Sequence, residues 1–442
     1  MNIKNLVLTY FRIAAKIQLS KNSNAKIIGI TGSAGKSSTR EAIVTAIGDL
    51  LKVKNCNFGN SETGIPLDIL GIKPINYSLS DWLRMIILTP LKLLTDRNKY
   101  DAYVIEMGID SPKSPRNMEY LLKIIKPNIG IFTNISTVHG QAYDHLIAFE
   151  ISGAYRHQAI KQVIAKEKSK LINSLSETEF AIINSDSEII LNAIKPAKAQ
   201  VLTFGQNPQS NFKIKKYKTS INKGTIVDIQ FNNQTYTITL NKYLLSKAYA
   251  YNLASAVATA FALGISLEQS TQNLNKNFAI PAGRMTLLTG IKKTHIIDSS
   301  YNASYESTLD ALQLLKQLNS TNKIAVLGDM REVGQSSEYA HNEVIQLAKS
   351  VTPHILTVGQ EFKSLNDNSI KSYLTSEEAL APLIDLIKPN SIILFKGSQN
   401  NIYLEYLIEK ILLNPKDIQF LCRQNSFWKK TKQNFFQSNK QN

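Results

Sequence analysis

The sequence predicts an α/β protein with a central domain built on a parallel sheet and a second α/β domain after it. Short isoleucine- and valine-rich runs alternate with helical patterns along most of the chain, as a parallel sheet covered by helices requires. Polar residues with chemical capability fall at the carboxyl ends of those runs, where ligands bind in such sheets. At 442 residues the chain is also too long for one ordinary core and implies two or three domains.

Residues 1–24 read as a short amphipathic helix leading into the first strand. Arg12 and Lys16 interrupt its apolar run and no small-residue cleavage site is obvious, so it is not a signal peptide. The run Lys26-Ile-Ile-Gly-Ile30 is the first buried strand. It enters Thr31-Gly32-Ser33-Ala34-Gly35-Lys36-Ser37-Ser38, and a helical pattern follows from Arg40 to Ile47. Strand, glycine turn and helix together make a P-loop, in which backbone N–H groups and a helix N-terminus cradle phosphate oxygens. Lys36 is placed to reach the β- and γ-phosphates, and Ser37 to offer a hydroxyl to Mg²⁺. Ile30 occupies the position of the general motif's first glycine, so this is the shorter T-G-x-x-G-K-S-S form. The competing reading is a glycine turn that binds nothing; the strand and helix on either side count against it.

The segment from Ile72 to Lys99 looks like an insertion. Its apolar stretch Trp82–Leu94 contains Arg84 and Lys92 and is too short and interrupted to span a bilayer. A packed helix or hairpin between two strands is the favoured reading. An interfacial helix, giving peripheral membrane contact, is the second.

Further strands are expected at 100–106, 127–134 and 180–186, which place Glu106, Asn134, His139 and Asn184 at or just beyond strand ends. Alternation over 210–240, with an Asn232-Asn233 turn, reads as antiparallel strands. An alanine-rich helix follows over 248–263, then a hinge-like loop, Ile280-Pro-Ala-Gly-Arg284. A second strand–helix series begins there, with strands at 294–298, 324–329, 354–359 and 391–396. The expected organisation is an N-terminal helix (1–24), a central domain (25–280), a Rossmann-like C-terminal domain (281–415) and a basic tail (416–442).

The net charge of +17 comes from scattered lysines, with density only in the tail. No nucleic-acid-binding motif accompanies it, so the reading is a solvated basic surface facing anionic substrates, not DNA or RNA. Cys56 and Cys422 lie far apart and form no disulfide or metal pattern, which fits a cytoplasmic protein.

The ordered set of motifs resembles the Mur ligase family, the ATP-dependent amide-forming enzymes of peptidoglycan precursor synthesis. The resemblance rests on Thr31–Ser38, Asn60 with Gly64-Ile-Pro66, Val104-Ile-Glu-Met-Gly108, Thr133-Asn-Ile135, His139, Ile164–Lys170 and Ile183-Asn-Ser-Asp186. It continues through Asn252, Gly283-Arg284, Asp298-Ser-Ser-Tyr-Asn-Ala303, Val326-Leu-Gly-Asp-Met330 with Glu332 and Gly334, His341 and Lys396-Gly-Ser398. It covers roughly 25–410 and is closest to the branch that joins a D-alanyl-D-alanine dipeptide to a UDP-muramoyl-tripeptide.

Several positions depart from the family's pattern. Only 28 residues precede Gly29, so the separate domain that grips the nucleotide-sugar is expected to be absent or reduced to a helix. Gly-x-His is Ser246-Lys-Ala248, Asp-Asp is Asp298-Ser299 and Asn-Pro is Ser304-Tyr305. The acceptor would then be gripped by the first helix, by 72–99 and by surface lysines.

The resemblance implies ATP and Mg²⁺ as cofactors, a nucleotide-sugar peptide and a dipeptide as substrates, and a monomer. Glu106, His139 and Lys168 as a carbamate would hold a second Mg²⁺, with Ser37 on the first. Asn252, Arg284, Asp298, Tyr301 and Asn302 would meet ATP, while Asn60, Asn134 and Lys396 would meet substrate. Taken singly, Glu106 reads as a solvated strand end, His139 as structural and Lys168 as one of several lysines on a solvated helix face. Two other readings stand beside this one: a folylpolyglutamate- or cyanophycin-synthetase-like amide ligase, and a non-catalytic P-loop scaffold at a membrane surface.

Overall fold

The computed structural model describes residues 3–137, 140–195, 198–241, 243–331, 333–397 and 401–439. Isoleucine and valine fill the short runs β1 (Lys26–Thr31), β2 (Val53–Cys56), β3 (Ala102–Glu106), β4 (Ile129–Phe132) and β5 (Phe180–Asn184). With β6 (Gln200–Gly205), β7 (Phe212–Ser220), β8 (Gly224–Phe231) and β9 (Gln234–Leu240) they form a nine-stranded sheet of order β2-β3-β1-β4-β5-β6-β7-β8-β9. Pairing is parallel from β2 through β7, and β7-β8-β9 is antiparallel. The β8–β9 turn places Asn232 and Asn233 at φ 46° and 65°, the left-handed pair of a two-residue hairpin.

The second sheet has the order β10-β11-β15-β12-β13-β14. Its members are β10 (Thr286–Gly290), β11 (Thr294–Ser299), β12 (Lys323–Gly328), β13 (His354–Val358), β14 (Lys371–Tyr373) and β15 (Ile392–Lys396). All its pairs are parallel except the edge strand β10. Strands β2, β6, β10 and β14 escape the sequence reading because each is short or half-exposed, with no clear apolar run.

The middle-domain core lies between the first sheet and two helices, Lys36–Ile47 and Lys247–Ala262. Alanines 250, 254, 256, 258 and 260 are fully buried; their small side chains let the second helix run close beneath the first.

The segment 72–99 holds a helix, Leu79–Thr95, between β2 and β3. It packs beside the first helix, Ile3–Ser20, over Phe11, Leu67, Leu70 and Met85. Pro90 sits inside it and has no N–H for the carbonyl of Ile86; the Tyr10 hydroxyl donates to that carbonyl instead, at 3.0 Å.

The segment read as a tail is ordered through 439 and folds back on the C-terminal domain. Its helix Ser426–Asn439 packs Phe435 on Tyr403 and Phe436 on Tyr406. Arg423 makes a 3.1 Å ion pair with the fully buried Glu405. The sequence carries no signal for this, because a run of lysines and glutamines looks solvated whichever face it buries.

Candidate active site

Strand register brings the first set of functional groups to one level. Ile30 pairs with Glu106, and Thr31 pairs with Phe132, so the loops after β1, β3 and β4 meet. The P-loop is held by its neighbour as much as by itself. Asn134 accepts from the Ala34 amide at 2.9 Å and donates back to the Ala34 carbonyl at 2.9 Å. The Ser33 hydroxyl donates to the Ser136 carbonyl at 3.0 Å. Gly32 has φ +152° and a Cβ there would meet Thr133 Oγ1 at 2.1 Å; Gly35 has φ +75° and opens the helix. Only glycine fits both demands.

Lys36 Nζ donates to the carbonyls of Gly32 and Ser33 at 2.8 and 3.2 Å. Burial holds its pKa below the usual lysine value, while Glu106 and Asp110 oppose that shift. Ser37 Oγ donates to Glu106 Oε2 at 3.2 Å, and Arg40 closes an ion pair on Glu106 Oε1. Ser37 and Glu106 thus present hard oxygen donors side by side, a set that suits Mg²⁺.

Lys168 is buried at the end of the helix Gly153–Lys168. Burial and then the nearby Lys36 charge drive its pKa well below the lysine norm, against Asp110 and Glu167. It is therefore no member of a solvated face. His139, Glu332 and Ser398 lie outside the described residues.

Opposite stands the C-terminal domain. Ser299 pairs with Lys396 at the ends of β11 and β15. Lys396 is buried and donates to the carbonyl of Asn302. Burial, then Arg284, lowers its pKa to about 7, with Asp310 and Asp298 opposing. The Arg284 guanidinium stacks on Tyr301 at 4.4 Å, and Arg423 lies over the same ring at 5.4 Å. Tyr249 ties the two walls together: its hydroxyl donates to the Arg284 carbonyl at 2.6 Å and lies 3.3 Å from Ser38 Oγ.

Between the walls is a cavity of about 720 Å³. It gathers Ser33–Ser38, Asn60, Glu106, Asn134, Asn184, Asn252, Arg284, Tyr301, Asn302 and Lys396 from the sequence-derived set. Thr31 and Gly32 underlie the loop, and Lys168 lies behind Lys36, outside the lining. Asp298 is not at the cavity surface: it is fully buried, accepts the Ser300 amide at 2.9 Å, and burial raises its pKa to about 6. It shapes the 299–302 turn from beneath. His341 is structural too, its Nε2 accepting the Met330 amide at 2.9 Å.

Sequence reasoning missed Glu306, Asp310, Tyr249 and Arg40. Glu306 lines the cavity and pairs with Lys161 across the domains at 2.7 Å. No spacing marks these residues, because the partners that place them are distant in the chain, as Glu106 is for Arg40 and Lys161 for Glu306.

Fold and site together define a two-domain P-loop protein whose phosphate cradle faces a cationic wall on a second α/β domain. Comparison with known proteins then gives its family. The Mur ligase middle domain matches residues 30–260, and the Mur ligase, glutamate ligase domain matches 283–399. The chain belongs to the Mur ligase family. It is 28% identical over 410 residues to UDP-N-acetylmuramoyl-tripeptide--D-alanyl-D-alanine ligase of Rickettsia prowazekii, covering 89% of this chain and 80% of that protein. The fold matches crystal structures of MurF from Acinetobacter baumannii (TM-score 0.73, 24% identity, 91% of this chain and 80% of that one) and of MurF ligase from Thermotoga maritima in complex with ADP (TM-score 0.70, 20% identity, 93% and 84%).

Proposed function

We propose that this chain uses ATP to join D-alanyl-D-alanine to a UDP-muramoyl-tripeptide, forming an amide through an acyl phosphate. The observation that carries this reading is the single cleft in which the P-loop of one domain faces Lys396 and Arg284 of the other. A carboxylate oxygen of the tripeptide attacks the γ-phosphorus and ADP leaves; the dipeptide amine then attacks the acyl carbon and phosphate leaves.

Such phosphoryl transfer depends mainly on positioning and charge neutralisation. The loop amides and Lys36 would hold the β- and γ-phosphates. Lys396 and Arg284 would neutralise charge from the far side once the domains close on substrate. Ser37 would hold one Mg²⁺ and Glu106, with Lys168 as a carbamate, a second; both would supply charge neutralisation at the phosphates.

By family resemblance Lys168 carries a carbamate. Its environment supports that chemistry, because a lowered pKa leaves a neutral amine able to attack CO₂, releasing a proton. The product is an anion beside Lys36, which relieves the repulsion between the two lysines.

The test is phosphate release and amide formation against a panel of muramyl-peptide acceptors and dipeptides. Turnover that needs both the UDP-tripeptide and D-alanyl-D-alanine is expected. Turnover with a folate or a polyamino acid acceptor in their place overturns the substrate assignment. Lys168→Ala is expected to be inactive and partly rescued by a short carboxylate; full activity in that variant sinks the carbamate.

A further inference from the structure

We infer that the first helix and the helix Leu79–Thr95 form a platform that seats the protein on an anionic membrane surface. On the second helix, Leu79, Leu83, Ile87, Leu91 and Leu94 recur at spacings of three and four and are 52–80% exposed. The opposite face, Met85 and Thr89, is buried against the body of the domain. On the first helix Leu6, Tyr10, Ile13 and Ile17 make a parallel stripe, 36–56% exposed.

The stripes lie side by side. Tyr10 bonds to the backbone of Ile86, and Lys21 and Gln18 reach the carbonyls of Leu93 and Asp96. Nine outward aliphatic and aromatic side chains on two adjacent helices are not the scattered exposure of an ordinary surface. Neither helix can span: among the described residues none is long and apolar enough to cross a membrane.

Charge selects the occupant. Residues 3–21 and 72–99 carry nine Lys or Arg (4, 12, 16, 21, 73, 84, 92, 97, 99) against two Asp, at 81 and 96. Asp81 is buried and paired with Arg84 at 2.6 Å, which leaves eight cations against Asp96 alone. An apolar face rimmed by cations fits an anionic bilayer, with the aliphatic stripe in the acyl boundary and the cations among the headgroups. A second copy of this chain would set one basic rim against another, on molecules of net charge +17. Tyr77, exposed at one end of the platform, is a side chain that favours the bilayer interface, and it packs on Trp82, which is itself partly buried against Phe11.

The experiment uses the full chain and two vesicle types, phosphatidylcholine alone and equal parts phosphatidylcholine and phosphatidylglycerol. Sedimentation with the anionic vesicles only, weakened by salt, is expected. Leu83→Ser and Ile87→Ser should each weaken partition by on the order of tenfold, the factor for keeping one aliphatic side chain in water. Circular dichroism and melting temperature should stay at the wild-type values, which shows that the variants fold. The inference is overturned if the wild type stays in the supernatant, or if the variants bind as well as it does. It is also overturned if the wild type is a dimer that these substitutions dissociate.

Discussion

On the middle-domain wall the cleft presents mainly backbone groups; on the C-terminal wall it presents mainly charged side chains. The P-loop offers amides fixed by Asn134 and by two glycines, so its shape is set before any ligand arrives. The opposite wall offers Lys396 and Arg284, buried or stacked charges whose strength depends on each other and on Asp310 and Asp298. Lys36 and Lys396 make the contrast sharp. Both are buried lysines with lowered pKa, but Lys36 has Glu106 as its main neighbour and Lys396 has the cation Arg284. A wall built from backbone tolerates little change; a wall built from coupled charges is tuned by pH.

The largest effect is expected at Lys36. Lys36→Ala should lower ATP turnover by about a thousandfold or more, since a positioned cation at the transferring phosphoryl is worth that much. Circular dichroism should be unaltered, and wild-type-like turnover would break the division of labour between the walls.

Glu106→Gln comes next. It removes one of the two carboxylates paired with the buried Arg40, the other being Glu41, and a hard oxygen beside Ser37. Activity should drop roughly ten- to a hundredfold with a raised Mg²⁺ requirement, measured by titrating Mg²⁺ at saturating ATP. An unchanged Mg²⁺ curve would remove Glu106 from the metal's surroundings.

Lys396 sharpens the comparison through pH. Its folded pKa of about 7 lies below the unfolded lysine value. Below pH 7 both states are charged and the native one bears the full cost of the buried cation. As pH rises from 7 toward 10, the unfolded chain holds the extra proton and the cost fades. Lys396→Met should therefore raise the melting temperature by a few degrees (~3 °C per kcal/mol for a domain of this size) at pH 6 to 7, and by less at pH 9. A gain that grows with pH would mean the ammonium is well paired in the cleft.

The smallest effect lies far from both walls. Tyr10→Phe removes the hydroxyl that serves the Ile86 carbonyl left open by Pro90. It should cost about 1 kcal/mol of stability in urea and leave turnover untouched. A loss of turnover would couple the platform to the cleft.

The alternation of apolar runs, the glycine–lysine–serine turn and the Asn-Asn hairpin are local signals, each set by backbone stereochemistry or by periodicity over a few residues. They were legible in order, and with them the α/β class, most strands and the phosphate cradle. Asn134, Asn252, Arg284 and Lys396 were reachable through family resemblance, since one residue at a strand end carries no pattern of its own. The burial of Asp298, the pairing of Glu306 with Lys161 and the burial of Lys168 were not legible. Nor was the C-terminal helix that sets Arg423 against Tyr301.

The sequence by itself determined where the chain turns, which runs are buried and where the glycine loop opens a helix, because those follow from short-range sterics and apolar patterning. Only the tertiary structure decided which charges are buried, which partners neutralise them and which apolar helix faces stay uncovered. Desolvation and pairing depend on what the rest of the chain brings within a few ångströms. In this protein that comes from a second domain and a C-terminal helix lying hundreds of residues away from the phosphate loop.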